Sequence, residues 1–198
     1  MGMDLMEVSL ETVGEVRILR GFLPPAECEA WIARSERLGF RHGPNPESPR
    51  GSPPSERTHR WLAFLIDGLV ARSLFQRAGE HLPPHWPRGR TGQVLEGFHP
   101  RIRFYRDEPS DTIPIHQDDP SEALDGIASA FTMMIFLNEC AGGSVRFHGQ
   151  HDGSAVLAEL RPEAGTAMVF PHETWHEPAP VLAGRRYILR ADVLYRNG

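Results

Sequence analysis

The sequence predicts a mainly β protein with two helices near its N-terminus, and three observations carry that expectation. From about Thr91 onward, short segments rich in β-branched and aromatic residues recur: "RIRFY", "IPIHQD", "TMMIFLN", "GSVRFH", "TAMVF" and "RRYILRADVLY". Turn signals such as "AGG", "GQHDGS" and "PEAG" separate them. Ahead of these segments, two stretches place apolar residues at helical spacing. Strands of this length and spacing suit a β-sandwich, a jelly roll or a barrel with the helices packed outside it.

The elements follow in order. A short apolar run around "VRIL" precedes "LPPAECEAWIARSERLGF", in which Pro24 and Pro25 open a helix, Trp31, Ile32 and Leu38 recur along it, and Gly39 stops it. The next segment, "RHGPNPESPRGSPPSER", is too rich in Pro, Gly and Ser for regular structure; from about Arg41 to Arg60 it reads as a surface loop or a mobile lid. A second helix is expected from about Trp61 to His81, with Leu62, Ile66, Leu69 and Phe75 as its apolar stripe. The 198 residues are therefore expected to form one domain, with residues 1–90 as helical support and 91–198 as the β core.

Composition narrows the function classes. The chain is 40% hydrophobic and 24% charged with a net charge of −5, and no run of basic residues offers a grip for a polyanion, so nucleic acid is not an expected partner. The start "MGMDLMEVSL" lacks the basic and apolar regions of a signal peptide, and no stretch reaches 18 apolar residues; a soluble, cytoplasmic protein without a membrane partner is expected. Cys28 and Cys140 show no metal or disulfide spacing and read as reduced thiols.

The stretch "IPIHQDDPSE" carries the first candidate chemistry. In an extended strand, side chains two residues apart share a face, so His116 and Asp118 converge while Gln117 and Asp119 point away. A histidine and a carboxylate so placed are two-thirds of the 2-His-1-carboxylate arrangement that binds non-haem Fe(II) and leaves positions open. With ten histidines and 26 acidic residues in the chain, His-x-acid arises about once by chance, so the pair needs corroboration. His148, His151, His172 and His176 are the candidates for the second histidine. In the last strand, Arg186, Ile188, Arg190 and Asp192 share a face, which is either a solvated edge or the lining of a polar cavity.

The order His-x-Asp, "TMMIFLN", "AGGSVRF", "AGTAMVF" and "HEPAPVLAGRRY" resembles the Fe(II)- and 2-oxoglutarate-dependent dioxygenases, in particular the prolyl 4-hydroxylase-like branch, over roughly residues 95–196. The helix "FLPPAECEAWI" is similar to the N-terminal helix of that branch. The resemblance implies a double-stranded β-helix, a cupin-like jelly roll, with the N-terminal helices packed on its major sheet. It implies His116, Asp118 and His176 as iron ligands, and Arg186, ten residues after His176, as the partner of the far carboxylate of 2-oxoglutarate. Tyr105, eleven residues before His116, matches a tyrosine that shares this carboxylate, and Thr132 would line the same cavity as a hydrogen-bond donor. Fe(II), 2-oxoglutarate and O2 are the implied cofactor and co-substrates, with succinate and CO2 released as a C–H bond is hydroxylated. Retention of Asp118 favours hydroxylation over the halogenation of relatives that lack this carboxylate.

Strand alternation sends Arg103 to the same face as Tyr105, and Arg190 to that of Arg186. Buried cations need partners, so Arg103 and Arg190 either recognise an anionic group of a substrate or pair structurally, Arg190 with Asp192 among the options. His148, His151 and His172 read as loop histidines and Trp175 as packing. The expected substrate is a small molecule, a free amino acid or a short peptide; a prolyl hydroxylase acting on a protein and a non-catalytic jelly-roll binding module are the alternatives.

Overall fold

In a computed structural model of the chain, residues 8–44, 59–85, 93–109, 111, 113–124 and 126–197 are described. The first helix, α1 (Pro25–Leu38), lies where the sequence places it: Pro24 precedes it in an extended conformation and Gly39 ends it at φ 82°. The second expected helix divides. Residues His59–Ile66 form a strand, and only Gly68–Ala78 are helical (α2). Asp67 marks the boundary, its side chain accepting from the backbone N–H groups of Leu69 and Val70 at 3.0 and 3.1 Å, as an N-cap does. Two members of the expected apolar stripe, Ile66 and Leu69, are 78% and 79% exposed, so helical periodicity was not what their spacing encoded.

Fifteen strands are present among the described residues. In chain order they are β1 (Ser9–Val13), β2 (Val16–Arg20), β3 (Arg41–Pro44), β4 (His59–Ile66), β5 (Gln93–Phe98), β6 (Arg101–Asp107), β7 (Glu122–Leu124) and β8 (Ile127–Phe136). They continue with β9 (Ala141–Gly142), β10 (Val145–His148), β11 (Val156–Leu160), β12 (Ala167–Pro171), β13 (Trp175–Pro178), β14 (Val181–Ala183) and β15 (Arg186–Asn197). The major sheet runs β1-β2-β12-β8-β15-β6-β4-β3, with β5 added to β15 and β7 to β8; β11-β10-β13 form the minor sheet, and β14 pairs with β9. All of these pairings are antiparallel. The arrangement is the expected mainly β jelly roll with flanking helices. Part of the expected loop is strand β3, while residues 45–58, where a lid was expected, lie outside the described residues.

Period-2 alternation divides the core in two. Leu19, Phe104, Met133, Ile135, Val169 and Leu189 face the helices and pack with Cys28, Ala71 and Leu74. Their neighbours Ile18, Tyr105, Met134, Phe136, Met168 and Ile188 face the other way and pack with Val145, Phe147 and Leu160 of the minor sheet. The functional residues belong to this second, inter-sheet face. Strand β15 lies between β8 and β6 rather than at an edge, so its charged face lines the interior of the sandwich.

One glycine holds the helical support onto the sheet. Gly165 has φ 81°, accepts from the N–H of Leu23 and donates to Phe136 O, and a Cβ there would lie 2.0 Å from Leu23 O. Gly165→Ala is expected to cost about 1–3 kcal/mol through backbone strain and this clash. A lower urea midpoint at unchanged slope is the measurement that checks it.

Candidate active site

His116 and His176 face each other across a pair of backbone hydrogen bonds: the N–H of each donates to the carbonyl of the other, at 3.0 and 2.9 Å. The expected strand at "IPIHQD" is this single bridge and no more. Asp118 N–H donates to His172 O, which carries its side chain to the same place. His116 Nε2 lies 4.0 Å from Asp118 Oδ1, and His176 Nε2 lies 3.9 Å from Asp118 Oδ2. One ligand atom from each of the three lies within 4.8 Å of the others, the one such group of three His, Cys, Asp or Glu among the described residues. Asp119 is exposed and outside the group.

The donor set suits a divalent metal. Each imidazole gives Nδ1 to a backbone carbonyl, His116 to Pro114 O and His176 to Thr174 O, both at 2.9 Å. This places the proton on Nδ1 and turns the Nε2 lone pair toward Asp118, the orientation a ligating histidine needs. Burial, reinforced by the neighbouring His176, pushes His116 down to about 4, and burial likewise lowers His176, so both are neutral near pH 7. Burial by itself would raise Asp118; Arg190 foremost, with His176 and His116, outweighs it and holds the carboxylate ionised. Metal–ligand bonds of about 2.1 Å allow ligand atoms up to about 4.2 Å apart, so the two measured separations fit one ion.

Thr132 and His172 take roles the sequence did not assign. Thr132 was expected to line the co-substrate cavity; its hydroxyl instead donates to Asp118 Oδ2. His172, expected in a loop, is 2% exposed; its Nδ1 lies 2.9 Å from Thr132 Oγ1 and its Nε2 2.8 Å from Ser129 Oγ. One neutral tautomer satisfies the chain: Ser129 donates to Nε2, Nδ1–H donates to Thr132, and Thr132 donates to Asp118. His148 is also buried rather than a surface loop residue, whereas His151 is exposed and lies against the Trp175 ring.

The four arginines of the inter-sheet face are held by three aspartates. Arg190 Nη1 contacts Asp118 Oδ1 at 2.6 Å, and its Nε contacts Asp192 Oδ1 at 3.2 Å. Arg103 Nη1 donates to Asp192 Oδ2 at 2.9 Å. Arg186 and Arg60 converge on Asp107, Arg186 through Nε and Nη2 on Oδ2, Arg60 through Nε on Oδ1 and Nη2 on Oδ2. Arg186 also donates to Gly143 O and Ser144 O. Burial would raise Asp107, and the two guanidiniums together keep it below the usual carboxylate range. A cavity of about 310 Å³, counting its mouth, opens among these groups: Arg60, Tyr105, His116, His176 and Arg190 form its polar lining, and Met134, Val145, Pro178 and Ile188 the apolar part. Arg186 and Arg103 are buried behind it and do not line it.

Arg60 and Asp107 were not singled out from the sequence. Asp107 was within reach, since it lies two residues beyond Tyr105 on the same face of β6. Arg60 was hidden at the end of the Pro-rich segment, where no strand was expected.

The model of the 2OG-Fe(II) oxygenase superfamily matches residues 101–191, which contain every one of the residues expected at the site. Residues 101–191 belong to the 2OG-Fe(II) oxygenase superfamily. The cofactor set of this superfamily is Fe(II) with 2-oxoglutarate and O2 as co-substrates. No curated protein sequence matches the chain. Solved structures share its fold. The viral collagen prolyl hydroxylase of Paramecium bursaria Chlorella virus-1, in complex with 2-oxoglutarate, superposes with TM-score 0.63 at 18% identity over 93% of this chain and 97% of its own. A Pseudomonas putida prolyl-4-hydroxylase gives 0.62 at 20% identity over 93% and 94%. The Trichoplax adhaerens prolyl hydroxylase, in complex with a hypoxia-inducible-factor peptide, gives 0.63 at 17% identity over 90% and 83%. The fold of the chain is thus prolyl 4-hydroxylase-like.

Two outcomes are expected. Thr132→Val, which removes the hydroxyl donated to Asp118, should weaken Mn(II) or Fe(II) binding about 10–100-fold by calorimetry. The second concerns pH. Burial pushes His172 down to about 4 against the opposing pull of Asp118 and Asp192, so between about pH 6.5 and 4 the unfolded chain binds a proton there that the folded one does not. Stability of the metal-free protein should therefore fall as pH drops through this window, and the slope should flatten in His172→Gln, as read from urea midpoints at successive pH values.

Proposed function

We propose that the chain is an Fe(II)- and 2-oxoglutarate-dependent hydroxylase in which His116, Asp118 and His176 hold the metal, acting on a small molecule, a free amino acid or a short peptide. The observation that carries this reading is the pair of facing imidazoles, each anchored through Nδ1 and turned with Nε2 toward one buried carboxylate, at a cavity with arginines in its lining. When bound, the metal with 2-oxoglutarate and O2 supplies the oxidant for an unactivated C–H bond, releasing succinate and CO2.

The protein's own residues bind and orient. Asp118 is held from both oxygens, by Arg190 on Oδ1 and Thr132 on Oδ2, which sets the direction in which its remaining lone pairs point. Phe147 and Phe170 pack on His176 at ring distances of 6.2 and 4.7 Å and keep that wall dry. A five-carbon dicarboxylate that meets the metal at one end needs a cation at the other. The Arg60–Asp107–Arg186 group, beside Tyr105, carries that charge. Of the two arginines considered for substrate, Arg190 lines the cavity while Arg103 is committed to Asp192, so Arg190 is the one in reach of a polar group on the substrate.

A prolyl hydroxylase acting on a protein is the second reading. It is favoured by the fold shared with the viral collagen prolyl hydroxylase and with the Trichoplax enzyme in complex with a peptide. Hydroxyproline formed in proline-rich peptides, set against products from free amino acids and small metabolites, separates the two. The purified protein with Fe(II) is expected to convert 2-oxoglutarate to succinate, faster with its substrate, and His176→Ala to abolish this. Absence of both turnover and metal binding would instead make the chain a non-catalytic binding module.

A further inference from the structure

We infer that Arg60 is the side chain that receives the far carboxylate of 2-oxoglutarate, with Asp107 and Arg186 acting as positioning residues; this rests on the reading that the cavity takes 2-oxoglutarate on a metal at His116, Asp118 and His176. The expectation from the sequence gives this role to Arg186. The hydrogen bonds of the two guanidiniums distinguish them.

Arg186 spends its donors on the protein. Its Nε and Nη2 go to Asp107 Oδ2 at 3.1 and 2.8 Å, and its Nη1 goes to the carbonyls of Gly143 and Ser144. It is 1% exposed and lies outside the cavity lining. Arg60 grips the same carboxylate as a fork, Nε on Oδ1 at 3.0 Å and Nη2 on Oδ2 at 2.7 Å. That geometry leaves its Nη1, with two N–H groups, without a protein acceptor among the described residues. Arg60 is 7% exposed and lines the cavity. Its guanidinium lies 3.6 Å from the centroid of the Tyr105 ring, which fixes its plane.

Charge balance points the same way. Arg103 and Arg190 are matched by Asp118 and Asp192. Among the described residues, Arg60 and Arg186 share Asp107 alone, so within that set one positive charge in this buried group has no carboxylate of its own. A buried charge without a counter-ion is costly, and a carboxylate brought in by the co-substrate supplies one. Asp107 thus serves as a clamp: it aligns Arg60 through the fork and ties it to Arg186, whose further bonds to Gly143 and Ser144 anchor the group to the backbone ahead of β10.

The test compares 2-oxoglutarate with 2-oxopentanoate, which has the same carbon chain and chelating end but no far carboxylate, on the Mn(II)-loaded protein by calorimetry. The wild type is expected to prefer 2-oxoglutarate. Arg60→Gln is expected to lose at least about 30-fold in affinity for 2-oxoglutarate, the usual effect of removing one member of a buried charge pair, while affinities for 2-oxopentanoate and Mn(II) stay within about threefold. Equal weakening of both keto acids would mean a structural role, and an unchanged preference would mean no role; either overturns the inference. So does a preference that survives Arg60→Gln but vanishes in Arg186→Gln. Should Arg60→Gln not fold, Arg60→Lys decides: an ammonium held on Asp107 has no second nitrogen to present to the cavity, so the preference should fall about tenfold, and an undiminished preference overturns the inference. A wild type that binds no Mn(II), or binds it and neither keto acid, overturns the reading of the site itself, a result separate from any effect of the Arg60 variants.

Discussion

The site depends on the burial of charge between two sheets. Arg60, Arg103, Arg186 and Arg190 all point into the space between the major and minor sheets, where an unpaired guanidinium would cost several kcal/mol. Asp107, Asp118 and Asp192 make this tolerable by taking two or more donors each. The pairs are bridged across strands: Asp107 joins β4 to β15, and Asp192 joins β15 to β6. The same bonds that neutralise the interior therefore fix the relative positions of the strands that build the cavity.

This arrangement gives Asp118 two partners in competition. Arg190 holds Oδ1 at 2.6 Å, and the two imidazoles approach the carboxylate at 3.9–4.0 Å. The carboxylate that both imidazoles face is thus also the acceptor of Arg190. Arg190 also contacts Asp192 and approaches Tyr105 Oη at 3.5 Å, so it has other acceptors within the cavity wall.

Where the sequence could be read, a local rule carried the reading. Pro25 and Gly39 delimit α1 because a proline fits the first turn of a helix and a glycine at positive φ ends one. Alternation along "RRYILRADVLY" and "RIRFY" put Ile188 with Arg190 and Arg103 with Tyr105 on one face, as the structure has them. The failures arose where the deciding contact lay elsewhere in the chain. "WLAFLI" is apolar enough for either a helix or a strand, and its pairing with β6 chose the strand. Thr132 sits on the inter-sheet face as expected, but which acceptor its hydroxyl meets depends on Asp118, fourteen residues away.

By itself, then, the sequence determined the class of the fold and the faces of its central strands, because side-chain alternation is a local property of the chain; it paired His116 with Asp118, while the choice of His176 among four histidines rested on the family resemblance. The tertiary structure decided how the charges divide among partners. Asp107 became the hub for Arg60 and Arg186, His172 became a support for Thr132, and Arg60 rather than Arg186 came to line the cavity. Each of these assignments is a choice among several acceptors of the same charge, and such a choice is made only when distant strands are brought into register.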